Sequence, residues 1–275
     1  AYAEPMRRGL LPANIQVHEF FVQAGEWLDA PQAQQNYISS NYTHAIPLIL
    51  ARGVNVVAQL VARRGEGADA RYNLGGNTDV TPALLEARRV GKADFFLVGQ
   101  VNDELPYMFG DAEIAAAELD LVLNDTPFAL PAPPRRPISA VDHAMGLHVA
   151  SLIPDGGTLQ LGIGSLGLAV AQSLILRHTQ PEVFADLVAR LSPPGDGVVR
   201  CVAPFEHGLY ALSEMFADAF LELYRAGILK REVDGAVLDA GFFLGPRDFY
   251  QALRELPDAE RARFRMRSVL FVNDL

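Results

Sequence analysis

A single cysteine, Cys201, stands in the 275 residues. With one thiol no disulfide closes within the chain and no thiolate metal site can be assembled, which fits a reducing compartment. Cys201 lies in the apolar, β-branched run "VVRCVAP", where a buried thiol is favoured over a nucleophile. Positive charge is also scarce: 23 Lys and Arg face 33 Asp and Glu, a formal net charge of -10. That balance argues against nucleic acid or an anionic membrane as the main partner, while leaving room for a local basic pocket around an anionic ligand. The N-terminal "AYAEPMRRGLLPAN" lacks the apolar core of an export signal, so a cytoplasmic protein is expected. No apolar run reaches membrane length unbroken. The longest, residues 159–176, is interrupted by Gln160, Gln172 and three glycines, and it reads as strand, loop and helix rather than a membrane span. Low-complexity tracts and short-period repeats are absent.

What is present is a globular composition, with 50% hydrophobic and 20% charged residues. Strand and helix patterns alternate along the chain, which predicts an α/β protein with open, mainly parallel sheets and covering helices. Strands are expected at residues 15–23 ("IQVHEFFVQ"), in "VNVVAQLV", "ADFFLVGQV", "TLQLGIG", "GLYALSE" and "GAVLDAGFF", and last in "SVLFVND". Helices are expected in "THAIPLILARG", closed by Gly53, in "TPALLEARRVG", with Pro82 in its first turn, and in "SAVDHAMGLHVASLI", "LAVAQSLILRH", "PEVFADLVARL", "MFADAFLELYRAG" and "PRDFYQALREL". The proline-rich "DTPFALPAPPRRPIS" shows no periodicity. It reads as a linker at 129–138 between a lobe of residues 1–128 and a second of 139–275, or else as a surface crossover within one domain.

Residues 161–168, "LGIGSLGL", spell G-x-G-x-x-G with Gly162, Gly164 and Gly167 between a strand and a helix. Glu182 follows twenty residues after Gly162, the spacing of a ribose-binding acid. In a dinucleotide fold that acid ends the second strand. Here Glu182 follows Pro181 at a helix start with no intervening strand, so a nicotinamide-dependent oxidoreductase is a weak reading. A glycine turn at a strand's carboxyl end also lets backbone N–H groups face a ligand, either as a phosphate cradle or as an oxyanion hole. Close strand–helix packing alone would equally account for the glycines.

Five ordered stretches carry a resemblance. They are "SSNYTHAI", "VGQVNDELPYMFGDAEI", "ASLIPDGGTLQLGIGSLGLAVAQSL", "LSEMFADAFLELYRAGIL" and "GFFLGPRDFYQALRELP" followed by "SVLFVNDL". Together they resemble the acetyl-CoA hydrolase/transferase family, CoA-transferase family I, which includes 4-hydroxybutyrate and succinyl-CoA:acetate CoA-transferases. The resemblance implies two NagB/CoA-transferase-like lobes. It also implies coenzyme A as a substrate rather than a resident cofactor, a small carboxylic acid such as acetate as acceptor, no metal, and a homo-oligomer. In that family the glutamate of the "SEM" motif is the covalent nucleophile, which here is Glu214. Independently, Glu214 is read as ending the apolar strand "GLYALS", where open α/β sheets place their sites; capping of the next helix is the plainer alternative.

On this reading Glu214 carries a glutamyl-CoA thioester, with transfer if a carboxylate accepts and hydrolysis if water does. Gly162, Ile163 and Gly164 would form part of the oxyanion hole, the Ile163 amide being a donor by the family match, and Gly167 is read as incidental to the chemistry. Gln100 and Asn102 are candidates for binding the acyl group, with Pro106 and Gly110 shaping the loop; stabilising a turn is the other role open to Asn102. The resemblance also puts Gly241 and Gly245 at the coenzyme A site. His44 and His207 are read as packing or surface residues. Family members are longer, so the chain is expected to be a fragment with an incomplete second lobe. A non-catalytic coenzyme A- or nucleotide-binding lobe that needs its other half is the alternative function.

Overall fold

A computed structural model of the chain describes residues 2–22, 25–124, 128–132, 137–192, 195 and 197–273. It divides into two compact units, residues 1–53 and 54–275. In the first, α1 (Ala3–Arg7), α2 (Pro31–Asn36) and α3 (Ala45–Ala51) are short. Met6, Trp27, Ala30 and Ala33 make a small core there. The strand expected at 15–23 does not form in its described part, 15–22. Among the described residues no strand lies alongside it to take its backbone N–H and C=O groups. Gly53 ends α3 with a positive φ of 61°.

Residues 54–275 hold two five-stranded sheets. The first contains β1 (Val56–Arg64), β2 (Arg71–Asn73), β3 (Phe96–Val101), β5 (Glu113–Ile114) and β6 (Leu121–Leu123), in the order β5-β2-β1-β3-β6. The β1–β3 and β3–β6 pairs are parallel, whereas β2 runs antiparallel to both β1 and β5. Helix α4 (Thr81–Arg89) buries Leu84, Leu85 and Ala87.

The second sheet is parallel throughout, in the order β4-β10-β9-β8-β7. Its strands are β4 (Phe109–Gly110), β7 (Thr158–Leu159), β8 (Tyr210–Phe216), β9 (Leu238–Phe243) and β10 (Phe264–Met266). Around it lie α5 (Ala140–Leu152), α6 (Ser165–Thr179), α7 (Pro181–Leu191), α8 (Asp218–Arg225), α9 (Arg247–Glu255), α10 (Asp258–Arg261) and α11 (Val269–Asn273). Helix α5 opens on a capping box between Ser139 and Asp142. One continuous apolar core runs from Ala62, Leu105 and Met108 through Leu174, Phe184, Phe216 and Phe220 to Phe249 and Phe264.

Two element boundaries differ from the sequence expectation. Strand β8 continues through Glu214 to Phe216, and α8 begins only at Asp218. The segment "SVLFVND" forms the helix α11 over its described residues, not a strand. Ser268 starts that helix: its side chain accepts from Leu270 N–H (3.3 Å) and its carbonyl accepts from Phe271 N–H (2.9 Å). The strand that completes the sheet lies just upstream, in "FRM".

Residues 133–136 of the expected linker lie outside the described residues. Of its neighbours, Leu130 is buried in the core, and the carbonyl of Pro131 accepts from the Tyr250 hydroxyl at 2.8 Å. Cys201 is half-buried, its N–H donating to Ser151 O at 2.6 Å.

Candidate active site

The parallel registers bring three of the sequence candidates, Gly162, Glu214 and Gly241, towards one level of the second sheet. Thr158 and Leu159 pair with Tyr210 and Ala211, and the same offset carried forward sets Gly162 opposite Glu214. A contact between Ser213 Oγ and Leu161 O at 3.4 Å supports that alignment past the last paired residue. On the other side Ser213 pairs with Ala240 and Met215 with Phe242, so Gly241 faces Glu214. Glu214 therefore stands near the carboxyl end of the sheet, its backbone one strand spacing, about 5 Å, from Gly241 of β9, and level by that extension with Gly162 in the loop past β7.

The glycines have different physical reasons. A Cβ on Gly241 would press on the Glu214 carbonyl at 3.1 Å and approach Asp79 Cβ at 3.7 Å. Around Gly162 and Gly164 a Cβ would meet no atom within 4 Å, and Gly164 takes a φ of +117° as it leads into α6. Gly167 is the most constrained: a Cβ there would lie 2.2 Å from the Gly162 carbonyl oxygen. The third glycine thus lets the 162–164 loop fold down on the first turn of α6. Ile163, between the two open glycines, is 65% exposed. Its N–H has no hydrogen-bond partner among the described residues.

Sequence reasoning missed two features here, one that touches Glu214 and one that packs on the neighbouring strand. The Asn273 side-chain amide donates to Glu214 Oε2 at 3.1 Å. The turn after β2, "LGGNTD", packs against β9: Asn77 bridges Phe242, and Phe243 N–H donates to Gly76 O at 3.1 Å. Asp79 O accepts from Val269 N–H at 2.7 Å, which fixes the start of α11. Gln59 braces that turn by donating to Leu74 O and Asn77 O, both at 2.8 Å. A glycine pair followed by Asn, Thr and Asp was the available signal for a tight, polar turn.

Beside the carboxylate runs a charged network. The buried Asp239 takes a two-point contact from Arg265 (3.0 and 2.9 Å) and a hydrogen bond from the Tyr210 hydroxyl (2.7 Å). Burial first, and then the Asp239 carboxylate, push the Tyr210 hydroxyl far up; the Asp239 hydrogen bond raises Arg265. Arg267 continues the row beyond Gly241. Its guanidinium pairs with Asp111 at 3.2 Å and covers the Phe271 ring at 3.9 Å. Among the described residues no group of three or more His, Cys, Asp or Glu is placed to hold a metal ion.

The remaining candidates divide by what they touch. Asn102 spends its side chain on the chain itself, accepting from Glu104 N–H at 2.9 Å and donating to Phe128 O at 2.8 Å. Gln100 is half-buried in β3, and Pro106 is buried. Gly110, with φ +94°, packs so closely on β10 that a Cβ would lie 2.5 Å from Met266 O. Gly245 lets the loop after β9 close on Phe249, whose ring a Cβ would meet at 2.4 Å. Glu182 sits in the first turn of α7 with a single residue separating α6 from α7, so the strand of a dinucleotide fold is not there.

No protein-family model matches the chain. Among curated proteins it is 26% identical over 192 residues to a 4-hydroxybutyrate coenzyme A transferase of Clostridium kluyveri, covering 68% of this chain and 36% of that protein. It is 35% identical over 125 residues to a succinyl-CoA:acetate/propanoyl-CoA:succinate CoA transferase of Fasciola hepatica, covering 43% of this chain and 24% of that protein. A succinyl-CoA:cyclohexane-1-carboxylate CoA transferase of Geobacter metallireducens is 25% identical over 239 residues, covering 85% and 45%. The chain thus spans less than half the length of each of these relatives. In fold it matches RipA from Yersinia pestis, with a TM-score of 0.69 at 22% identity, over 94% of this chain and 53% of that one. It also matches a 4-hydroxybutyrate CoA-transferase from Porphyromonas gingivalis, with a TM-score of 0.60 at 21% identity, over 98% and 60%. The resemblance read from the sequence holds: the chain is similar in sequence to curated CoA-transferases and shares the two-sheet α/β fold of a solved one.

Proposed function

We propose that the protein moves coenzyme A between carboxylic acids, with Glu214 as the covalent nucleophile. One observation carries this reading: a carboxylate near the end of a parallel strand, beside Gly241 and level with the 162–164 loop, whose Ile163 amide has no partner among the described residues. One Glu214 oxygen attacks the thioester carbonyl carbon of an acyl-CoA; the C–S bond breaks and the CoA thiolate leaves. The thiolate then attacks the glutamyl carbonyl carbon of the mixed anhydride, releasing the acid and leaving a glutamyl-CoA thioester. A second carboxylate runs these steps backwards, and water in its place gives hydrolysis. Each addition creates an oxyanion that backbone amides at 162–164 would stabilise, one such donor contributing about 3–4 kcal/mol.

Acetate as acceptor, coenzyme A contacts at Gly241 and Gly245, acyl contacts at Gln100 and Asn102 with Pro106 and Gly110 shaping the loop, and a homo-oligomeric cytoplasmic enzyme belong to the same reading. So does the division into lobes 1–128 and 139–275 joined by 129–138.

Incubation with acetyl-CoA or succinyl-CoA, followed by hydroxylamine or borohydride trapping and peptide mass mapping, is expected to modify Glu214. An unmodified Glu214, together with turnover by Glu214→Ala, would sink the covalent role. Coenzyme A release with and without acetate separates transferase from hydrolase. The partial span of the relatives favours one second reading, a coenzyme A-binding lobe that needs further sequence to react; calorimetric binding of coenzyme A without labelling at Glu214 would select it.

A further inference from the structure

Deepening the reading of Glu214 as the nucleophile, on which this rests, we infer that the acyl group it takes is an apolar chain without a distal charge, seated against Ile163, Leu166 and Leu270. Each of these residues belongs to an element that borders the carboxylate. Ile163 lies in the loop between Gly162 and Gly164, level with Glu214, and its side chain is largely exposed. Leu166 follows in the first turn of α6, 38% exposed. The contact of Asn273 with Glu214 Oε2 at 3.1 Å sets α11 beside the same carboxylate. Leu270 stands three residues before Asn273, hence on the same face of that helix, and is 39% exposed. Phe271 falls on the opposite face, where the Arg267 guanidinium covers its ring at 3.9 Å. Single exposed apolar residues are ordinary on a protein surface. Three of them around one reactive carboxylate make the lining of a hydrophobic subsite.

The charges decide which chain fits. The strand of Glu214 (210–217), the loop, strand and helix beside it (160–166, 238–243 and 268–273) and the turn that packs on β9 (74–80) contain no Lys, Arg or His. They do carry Asp79 and Asp239 besides Glu214. The arginines in and just past the adjoining strand β10 are already matched, Arg265 to Asp239 at 2.9 Å and Arg267 to Asp111 at 3.2 Å. Gln100 and Asn102, the polar candidates for the acyl group, are neutral. A carboxylate at the far end of a dicarboxylic acyl chain would lose water, meet no cation and face like charge. A methyl group in the same place gains by leaving water. The reacting carboxylate of an acceptor acid escapes the repulsion, because it arrives when Glu214 is held as a neutral thioester.

Butyryl-CoA and succinyl-CoA test this, since their acyl groups match in length and differ by a methyl group against a carboxylate. Labelling of Glu214 is followed by peptide mass mapping at limiting concentrations of each thioester, and transfer to acetate as kcat/KM. Butyryl-CoA is expected to be preferred at least about tenfold in both. A smaller preference, or one for succinyl-CoA, overturns the proposal while leaving the nucleophile standing. Leu270→Arg, checked for fold by circular dichroism, supplies the missing cation. It should move the ratio at least about tenfold towards succinyl-CoA, mainly through KM. A smaller movement overturns the assignment of Leu270 to the subsite. If neither thioester labels Glu214, the nucleophile reading itself falls, and this one with it.

Discussion

At the scale of single residues, the three glycines of "LGIGSLGL" separate by the space each leaves. Gly162 has room for a methyl group and an unexceptional φ, so Gly162→Ala should leave the melting temperature nearly unchanged. If acyl-CoA occupies that room, the same substitution should slow labelling of Glu214 at least tenfold. Gly167→Ala is the opposite case. Its methyl would overlap the Gly162 carbonyl, so a destabilisation of about 1–3 kcal/mol is expected, read as a lower denaturation midpoint. Equal effects of the two variants on stability would contradict this division. The motif itself was legible in the sequence, but the roles were not: Gly167 had been assigned none, because the distance from its α-carbon to Gly162 O is a property of the folded turn. Glu214 is singled out by the resemblance of its "SEM" motif, with its place near the end of an apolar strand in support; by that place alone a helix cap is the plainer reading. Asn273 could not be found, since 59 residues, two strands and three helices separate it from its partner.

At the scale of elements, periodicity located β1, β3, β8, β9 and helices α4 to α7 and α9, where long alternating or amphipathic patterns coincide with burial. It failed on short pieces. "SVLFVND" has strand composition, yet Ser268 and the Asp79 carbonyl make it a helix. Residues 203–208, before β8, show how an unpatterned segment is held by polar groups around one buried ring, Phe205. The buried Arg177 guanidinium donates to Ala203 O at 2.7 Å and covers the Phe205 ring at 4.2 Å. His178 Nδ1 accepts from Phe205 N–H at 3.1 Å, which requires the neutral ring. Asp155 accepts from Glu206, His207 and Gly208 N–H at 2.8–2.9 Å.

Burial, and then the charge of Lys230, lower His178, against an opposing pull from Asp155. Burial raises Asp155, but the N–H groups of His207, Gly208 and Glu206 outweigh it and hold its carboxyl below the ordinary value. Both folded-state values lie below the unfolded ones, so the unfolded chain binds more protons and acid weakens the segment. The His178 contribution is full above about 6.5 and lost as the pH falls below it; the Asp155 contribution follows below about 4. Hydrogen exchange at the Phe205 and His207 amides should therefore lose protection in two stages on acidification. His178→Ala should abolish the first stage only. A single transition near pH 4 in the unaltered chain would refute the role of His178.

At the scale of the molecule, the two sheets of residues 54–275 are joined more closely than the order of their strands suggests. Strand β4 comes from the stretch that otherwise feeds the first sheet, yet it pairs with β10 at the edge of the second. The Asn77–Phe242 bridge ties the turn after β2 to β9, and Arg64 at the end of β1 makes a two-point ion pair with Asp258 (2.8 and 2.7 Å). Hydrogen bonds from Arg64 first, and then from Arg261, hold the Asp258 carboxyl down to about 2. Being exposed, that pair fixes geometry more than it stabilises, and salt screens it. The stronger joint is the apolar core that Leu105, Tyr107 and Met108 share with Phe216, Phe249 and Met266. Units sharing one core unfold together. Gly110 tests this, because its φ of +94° and the Met266 carbonyl 2.5 Å from its Cβ position both forbid a side chain. Gly110→Ala should detach β4 from β10, costing at least about 1–3 kcal/mol. If the sheets form one cooperative body, amides in β1 and β3 of the first sheet should lose exchange protection to the same extent as those in β9 of the second. Protection lost in β9 and β10 alone would show that the sheets are separate folding units, and that the Glu214 site could be disrupted without disturbing the first sheet.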